Sequence, residues 1–338
     1  MVFARATIAG LAAMMLVAAG EPAAPPADLE PYVKDGHFEP GDFGWARGAF
    51  ADATPEQREA FAALSQWAEE CRTAAREEAI AELAAMGIDA ATLSPFHFAQ
   101  RCLVMLPQFD MTRPFAEFEA ALREARPIAD TYFAAARLAQ TRALGNAATA
   151  GDALTAHTTE EQMLRFAMSW GRDPLTGVPE LSPDGQAALR TLVGIATGQS
   201  DAANTEWLKT WVAKDGWPTI SQVGEKGASA AWLLTQHADA DPVFQARALR
   251  LMEPLVAQGE VSKQNYAYLY DRIMLKLTGK QRYGTQWSAC QGDTRPLQPL
   301  EDEPRLAELR AEMGLDPIED YARSMDQMFG PCSEKKTG

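Results

Sequence analysis

The chain has 338 residues, 47% of them apolar, with 31 Lys and Arg against 46 Asp and Glu, a formal charge of -15. This length and apolar content exclude a disordered chain and suit about two globular domains of ~150 residues each. The acidic balance argues against a DNA or RNA binder and against an anionic membrane surface. Four cysteines with no CxxC pair and no Cys/His cluster exclude a disulfide-dense miniprotein and a structural zinc site.

Residues 1–19 place Arg5 before an apolar run that ends in Ala18, Ala19 and Gly20, the pattern of a secretory signal peptide cleaved after Ala19. The run falls short of the ~20 apolar residues that a spanning helix needs, and Pro-rich, acidic sequence follows it. A periplasmic or secreted protein that does not span the membrane is therefore expected. Export permits disulfides, and pairing Cys71 with Cys102 and Cys290 with Cys332 closes two local loops. The other reading of Cys71 is core packing, because it shares a helical stripe with Phe61, Leu64, Ala68 and Ala75.

Residues 20–53 form a Pro/Gly-rich leader that gains order near Phe43 and Trp45. A helix is predicted over 54–86, with Thr54 as cap, Pro55 in the first turn and Gly87 as stop. Ser94 and Pro95 open a second helix carrying Phe96, Ala99, Leu103 and Leu106 on one face, and Pro107 closes it. Helices over 115–125 and 128–144 complete an N-terminal α-helical domain, 54–144. The Gly-, Ala- and Thr-rich stretch 145–159 reads as a linker.

Helical patterns resume over 160–170, 182–197 and 201–213, pause at Gly216, Trp217 and Pro218, and continue over 227–238, 241–257 and 262–277. Residues 281–300 contain two short β-prone runs separated by Gln291, Gly292 and Asp293, the signal of a hairpin. Helices over 303–313 and 317–328 end a C-terminal domain, 160–332. The expected fold is mainly α, a helical bundle or array with one small β-hairpin in the C-terminal domain.

No GxSxG, HExxH, phosphate-binding loop or dinucleotide fingerprint is present. The informative stretch runs from Trp217 to Gln286 and holds QHAD, AYLYDR and QRYGTQ. These blocks resemble an uncharacterised bacterial family, a domain of unknown function whose members share QHAD, AYLxDR and QxYGTQ. The resemblance extends through PLEDEPRLAELRAEMGLDPIEDY, so it covers about 206–321 and leaves the N-terminal domain outside. It implies a domain assignment and brings no activity or cofactor with it.

Within these blocks, His237 follows Leu233 and Leu234 near a helix C-terminus, where a cation is favoured. It reads either as a general base with Asp239 as orienting carboxylate, or as a helix-end residue with Asp239 and Asp241 capping the next helix. Asp271 sits among Ala267, Tyr268, Met274 and Leu275 at helical spacing, so its carboxylate needs a buried partner, with Arg272, Arg282 and His237 as candidates. It is either an acid, base or ligand, or half of a structural pair. Gln281, Arg282, Tyr283, Thr285 and Gln286 surround Gly284 and suit polar recognition, or equally a turn that satisfies its own polar groups.

The leading expectation is an exported envelope protein that binds a small polar molecule or peptide in a cleft lined by His237, Asp239, Asp271, Arg272, Gln281, Tyr283 and Gln286, with Trp217 as a further ligand contact. The alternatives are a hydrolase using His237 with Asp239 or Asp271, with or without a metal, and a purely structural interaction module. No cofactor is expected, and nucleic acid is not an expected partner.

Overall fold

A computed structural model describes residues 26–34, 37–99, 102, 106–170 and 180–332. Segment 1–19, expected to be a signal peptide, lies outside the described residues. The protein is mainly α. Two 3-10 helices, Ala27–Tyr32 and Gly44–Ala49, flank a minimal antiparallel pairing of Val33–Lys34 with His37–Phe38 and lead into α1, Pro55–Ala85. Thr54 starts α1 with a full capping box, in which its hydroxyl accepts from the Gln57 amide and the Gln57 side chain accepts from the Thr54 amide.

After α1 the described residues hold one 3-10 turn, Pro95–Phe98, where a longer helix to Leu106 was expected; residues 100, 101 and 103–105 of that helix lie outside the description. Next comes α2, Phe115–Gly145, which runs straight through Pro127 where two helices were expected. The apolar face holds it together, because Phe118, Ala121, Leu122, Ala125 and Ala129 are all buried. Burying a Phe such as Phe118 contributes about 2–3 kcal/mol, enough to offset a single lost backbone bond.

The stretch 145–159 is not an irregular linker. It holds the end of α2, a short turn and the first part of α3, Ala150–Ala167, started by a second capping box between Thr149 and Asp152. Its paucity of bulky residues has a packing cause. A Cβ on Gly151 would collide with the Val223 carbonyl oxygen, and one on Gly227 would lie 2.7 Å from the Gly151 Cα, so the two backbones cross with no room for side chains. Small residues at this point mark a close helix crossing.

The long helix α4, Pro183–Asp215, joins the two helices expected over 182–197 and 201–213. Then follow α5, Ile220–His237, interrupted at Gly224 (φ 72°, ψ 167°), a conformation open essentially to glycine alone; α6, Pro242–Val256; and α7, Lys263–Thr278. Two short helices, α8 at Leu306–Glu312 and α9 at Ile318–Phe329, end the described chain. None of the described helices is long and apolar enough to cross a membrane.

The hairpin expected over 281–300 is not formed. Isolated bridges link Gln281 with Leu300, Trp287 with Leu297 and Gln291 with Thr294, and no ladder develops. Pro296 and Pro299 have no N–H to give to a ladder. The buried Gln281 side chain takes the ladder's place: its amide donates to the Gln286 and Gln298 carbonyls, and its oxygen accepts from the Gln286 N–H.

Two cores result. One gathers Phe43, Phe50, Phe115 and Phe118 with the first halves of α1, α2 and α4, and Phe43 meets Phe118 edge-on at 5.3 Å. The other joins the second half of α1, through Ala75, Ala79 and Leu83, to Leu154, Leu208 and the inner faces of α5, α6 and α7. Helices α1 and α4 thus serve both cores, and upstream residues pack into the region that carries the QHAD block. Cys71 and Cys102 are disulfide-bonded, with Cα atoms 5.8 Å apart, as are Cys290 and Cys332 at 5.5 Å. Two such bonds are compatible with an oxidising, extracytoplasmic compartment.

Candidate functional site

A cleft of about 900 Å³ opens between α1, α4 and the start of α6. Its walls include Phe98, Val243, Phe244 and Leu251, and its polar groups include Asp201, Lys209, His237 and Arg247. Each position follows from local structure. His237 is the last residue of α5, Asp241 caps α6 by accepting from the Phe244 amide, and Asp201 lies midway along α4, facing α3.

His237 is 11% exposed, and its Nδ1 lies 2.9 Å from Oε2 of Glu161, a carboxylate with no exposed surface. This is a close contact and not an aligned hydrogen bond, since Nδ1 lacks a partner of hydrogen-bonding geometry. With Nδ1 turned to Glu161, the edge bearing Nε2 is the one left for the cleft. Arg165, one turn beyond Glu161 on α3, donates to Glu161 Oε2 at 2.5 Å and to both oxygens of Asp201, at 2.9 and 2.8 Å. Burial pushes the Asp201 carboxyl above its ordinary range, against the pull of Arg165. A half-buried guanidinium shared by two carboxylates offsets part of their desolvation.

This arrangement suits proton transfer or ligand hydrogen bonding: an imidazole at the edge of a cleft with a carboxylate behind it. Glu161, Asp201 and His237 each offer an atom within 4.8 Å of the others, a set able to hold a divalent cation. Arg165, however, already bridges both carboxylates, so the cluster is first a charge network within the protein.

The other expected site residues go elsewhere. Asp239 is 41% exposed and pairs with Arg272 at 2.5 Å and Lys276 at 2.6 Å, and Lys276 also donates to Gln245. Burial pushes the Asp239 carboxyl up, but the two cations outweigh it and hold it at about 2; for the more deeply buried Lys276, burial wins and its pKa falls. Asp239 is therefore committed to α7 and does not orient His237.

Asp271 is fully buried and accepts from the backbone amides of Arg282, Tyr283 and Thr285 at 2.7, 2.9 and 2.8 Å. Burial pushes its carboxyl up against these three donors. It pairs with neither Arg272 nor His237. Tyr283 is buried beside Tyr270, and Gln286 donates its side-chain amide to Thr285. Arg282 pairs with Glu301 and covers the Tyr270 ring at 4.2 Å. The QRYGTQ segment is thus a turn that satisfies its own polar groups. Trp217 is 4% exposed and lines a separate cavity of about 430 Å³ with Trp232.

Of the expected cleft residues, only His237 lines the cleft described here. Sequence reading missed Glu161, Arg165, Asp201 and Lys209. A usable signal existed for Glu161, which shares a helical face with Leu154 and Leu164, the same test that singled out Asp271. Reading 145–159 as a linker hides that signal, because it cuts Leu154 off from the helix over 160–170.

No curated protein and no solved structure matches this chain. Residues 184–333 match the model of a family of unknown function (DUF6624). The match takes in Asp201 and His237 and leaves out Glu161 and Arg165 on α3 and the cleft wall contributed by α1. From residue 184 onward the chain is therefore similar to an uncharacterised domain family, and in this protein upstream helices complete that region's cleft.

Proposed function

We propose that this is an exported protein, periplasmic or secreted, whose α1/α4/α6 cleft binds a small polar molecule or a short peptide, with His237 as a direct contact. The observation that carries the reading is His237 itself: a mostly buried imidazole at the cleft, with Nδ1 against the buried Glu161 carboxylate. Such backing fixes the ring, so little side-chain entropy is lost on binding. The apolar walls and few polar groups follow the usual composition of ligand sites. The N-terminal signal pattern and the two disulfides support the location.

A second reading is favoured by the same contact. A carboxylate behind a cleft histidine is the arrangement of a general base, so the site also suits hydrolysis, with His237 taking a proton from an attacking water or hydroxyl. The test is thermal unfolding of the chain from residue 20 onward against polar metabolites and short peptides, for the wild type and His237→Gln. A binder raises the melting temperature of the wild type and not of a folded His237→Gln variant. A rise that persists in the variant, or that protects the Trp217 cavity from hydrogen exchange instead, refutes the cleft reading. Turnover of ester or amide probes that depends on His237 selects hydrolysis over binding.

A further inference from the structure

The charges around the cleft point to a class of ligand, an inference that rests on the cleft being the functional site. Among the described residues lining it, the Lys and Arg side chains are Lys209 and Arg247, and both are already engaged. Lys209 is shared by Glu206 and Asp241, each at 2.9 Å, and Arg247 pairs with Glu82. Behind the floor, Arg165 is likewise shared by two carboxylates, Glu161 and Asp201. Pairing therefore leaves the cleft negative, inside a chain of formal charge -15, so the local and overall fields both attract cations.

The shape of the cleft narrows the class. Phe98, Val243, Phe244 and Leu251 give the walls an apolar surface that suits methylene groups, and aromatic rings also favour a nearby ammonium. A hydrated divalent ion gains nothing from such walls. We propose that the cleft takes an alkyl-ammonium ligand, its charged nitrogen donating to the carboxylate rim and to Nε2 of His237 while its methylene chain lies along Phe98 and Phe244. A free diamine or polyamine and the lysine side chain of a peptide share this chemistry.

Titration calorimetry of the full chain from residue 20 onward tests it, with cadaverine, spermidine and a lysine-containing tripeptide as probes, pentanediol and glutarate as chain-matched controls, and zinc and magnesium chloride as separate titrants. The amines bind and the controls do not. Affinity falls roughly tenfold between about 0.05 and 0.5 M salt. Glu82→Gln and Glu206→Gln, both at the rim, each weaken binding roughly fivefold, the scale of a partly exposed charge pair, and His237→Gln weakens it further. Tighter binding of the tripeptide than of cadaverine identifies a protein ligand, and the reverse identifies a free amine. Glutarate or pentanediol binding that depends on His237 overturns the cation assignment and leaves the cleft reading standing, as does His237-dependent metal binding without amine binding. Amine binding indifferent to all three substitutions places the site elsewhere and overturns both. Silence from every probe defeats the inference, while the cleft reading is judged by its own panel.

Discussion

Asp271 and Arg310 hold one turn from two sides: the Asp271 carboxylate accepts three amide N–H groups of residues 282–285, and the Arg310 guanidinium donates to the Tyr283 and Gly284 carbonyls of the same turn. Both side chains are almost fully buried, and Arg310 also donates to the Asp316 carbonyl at 2.7 Å. A buried charge of each sign is thus neutralised through backbone dipoles and not by a direct ion pair.

Asp271→Ala leaves three buried amides without an acceptor, each worth about 1–3 kcal/mol. Shared relaxation reduces the sum, so a loss of about 3–5 kcal/mol is expected in urea unfolding. Asp271→Asn keeps one acceptor oxygen and costs less. Equal stability of wild type and Asp271→Ala would show that the turn is held by other means.

Asp239 sets an acid limb of stability. Its folded pKa of about 2 lies below the ordinary unfolded value near 3.9, so the folded state favours the ionised form. That contribution is complete above about pH 4 and is lost as pH falls toward 2. Because the side chain is 41% exposed, solvent screening reduces the effect to the order of 1 kcal/mol. Denaturant titrations of wild type and Asp239→Asn should differ near neutral pH and converge toward pH 2; a constant gap across that range contradicts the assignment.

The α3/α5 crossing predicts a contrast between two glycines. Gly151→Ala forces a methyl into the Val223 carbonyl and separates the helices, a loss of about 3 kcal/mol or more. Gly145, at the end of α2, has open space around it, so Gly145→Ala is neutral or stabilising by up to about 1 kcal/mol. Paired melting curves of the two variants decide the matter, and similar shifts would mean that the crossing is looser than described.

Removing either disulfide is expected to cost about 4 kcal/mol, since the bridged residues lie 31 and 42 positions apart and each bridge restricts a long loop of the unfolded chain. Peptide mapping without reductant should recover Cys71 linked to Cys102 and Cys290 linked to Cys332. Recovery of crossed pairs or free thiols from protein made in an oxidising compartment is the contrary result.

The mainly helical class, the positions of most helix starts and the cysteine pairing were legible in the residues alone. Thr54 with Pro55, Ser182 with Pro183 and Asp241 with Pro242 act through bonds to their own first turn, so local sequence suffices to place them. The two disulfides close loops within neighbouring segments, again a local matter. What needed tertiary structure was the destination of each polar side chain. His237 meets Glu161, not Asp239, because α5 crosses α3 at Gly151 and Gly227. Residues 281–300 form no hairpin because a buried glutamine side chain replaces the strand ladder. Asp271 holds backbone amides and no cation, because the turn that needs it is brought there by the path of the chain after α7. Caps and periodicity depend on neighbours within one helical turn, whereas the partner of a buried charge depends on which distant backbone arrives beside it, and that is settled by packing.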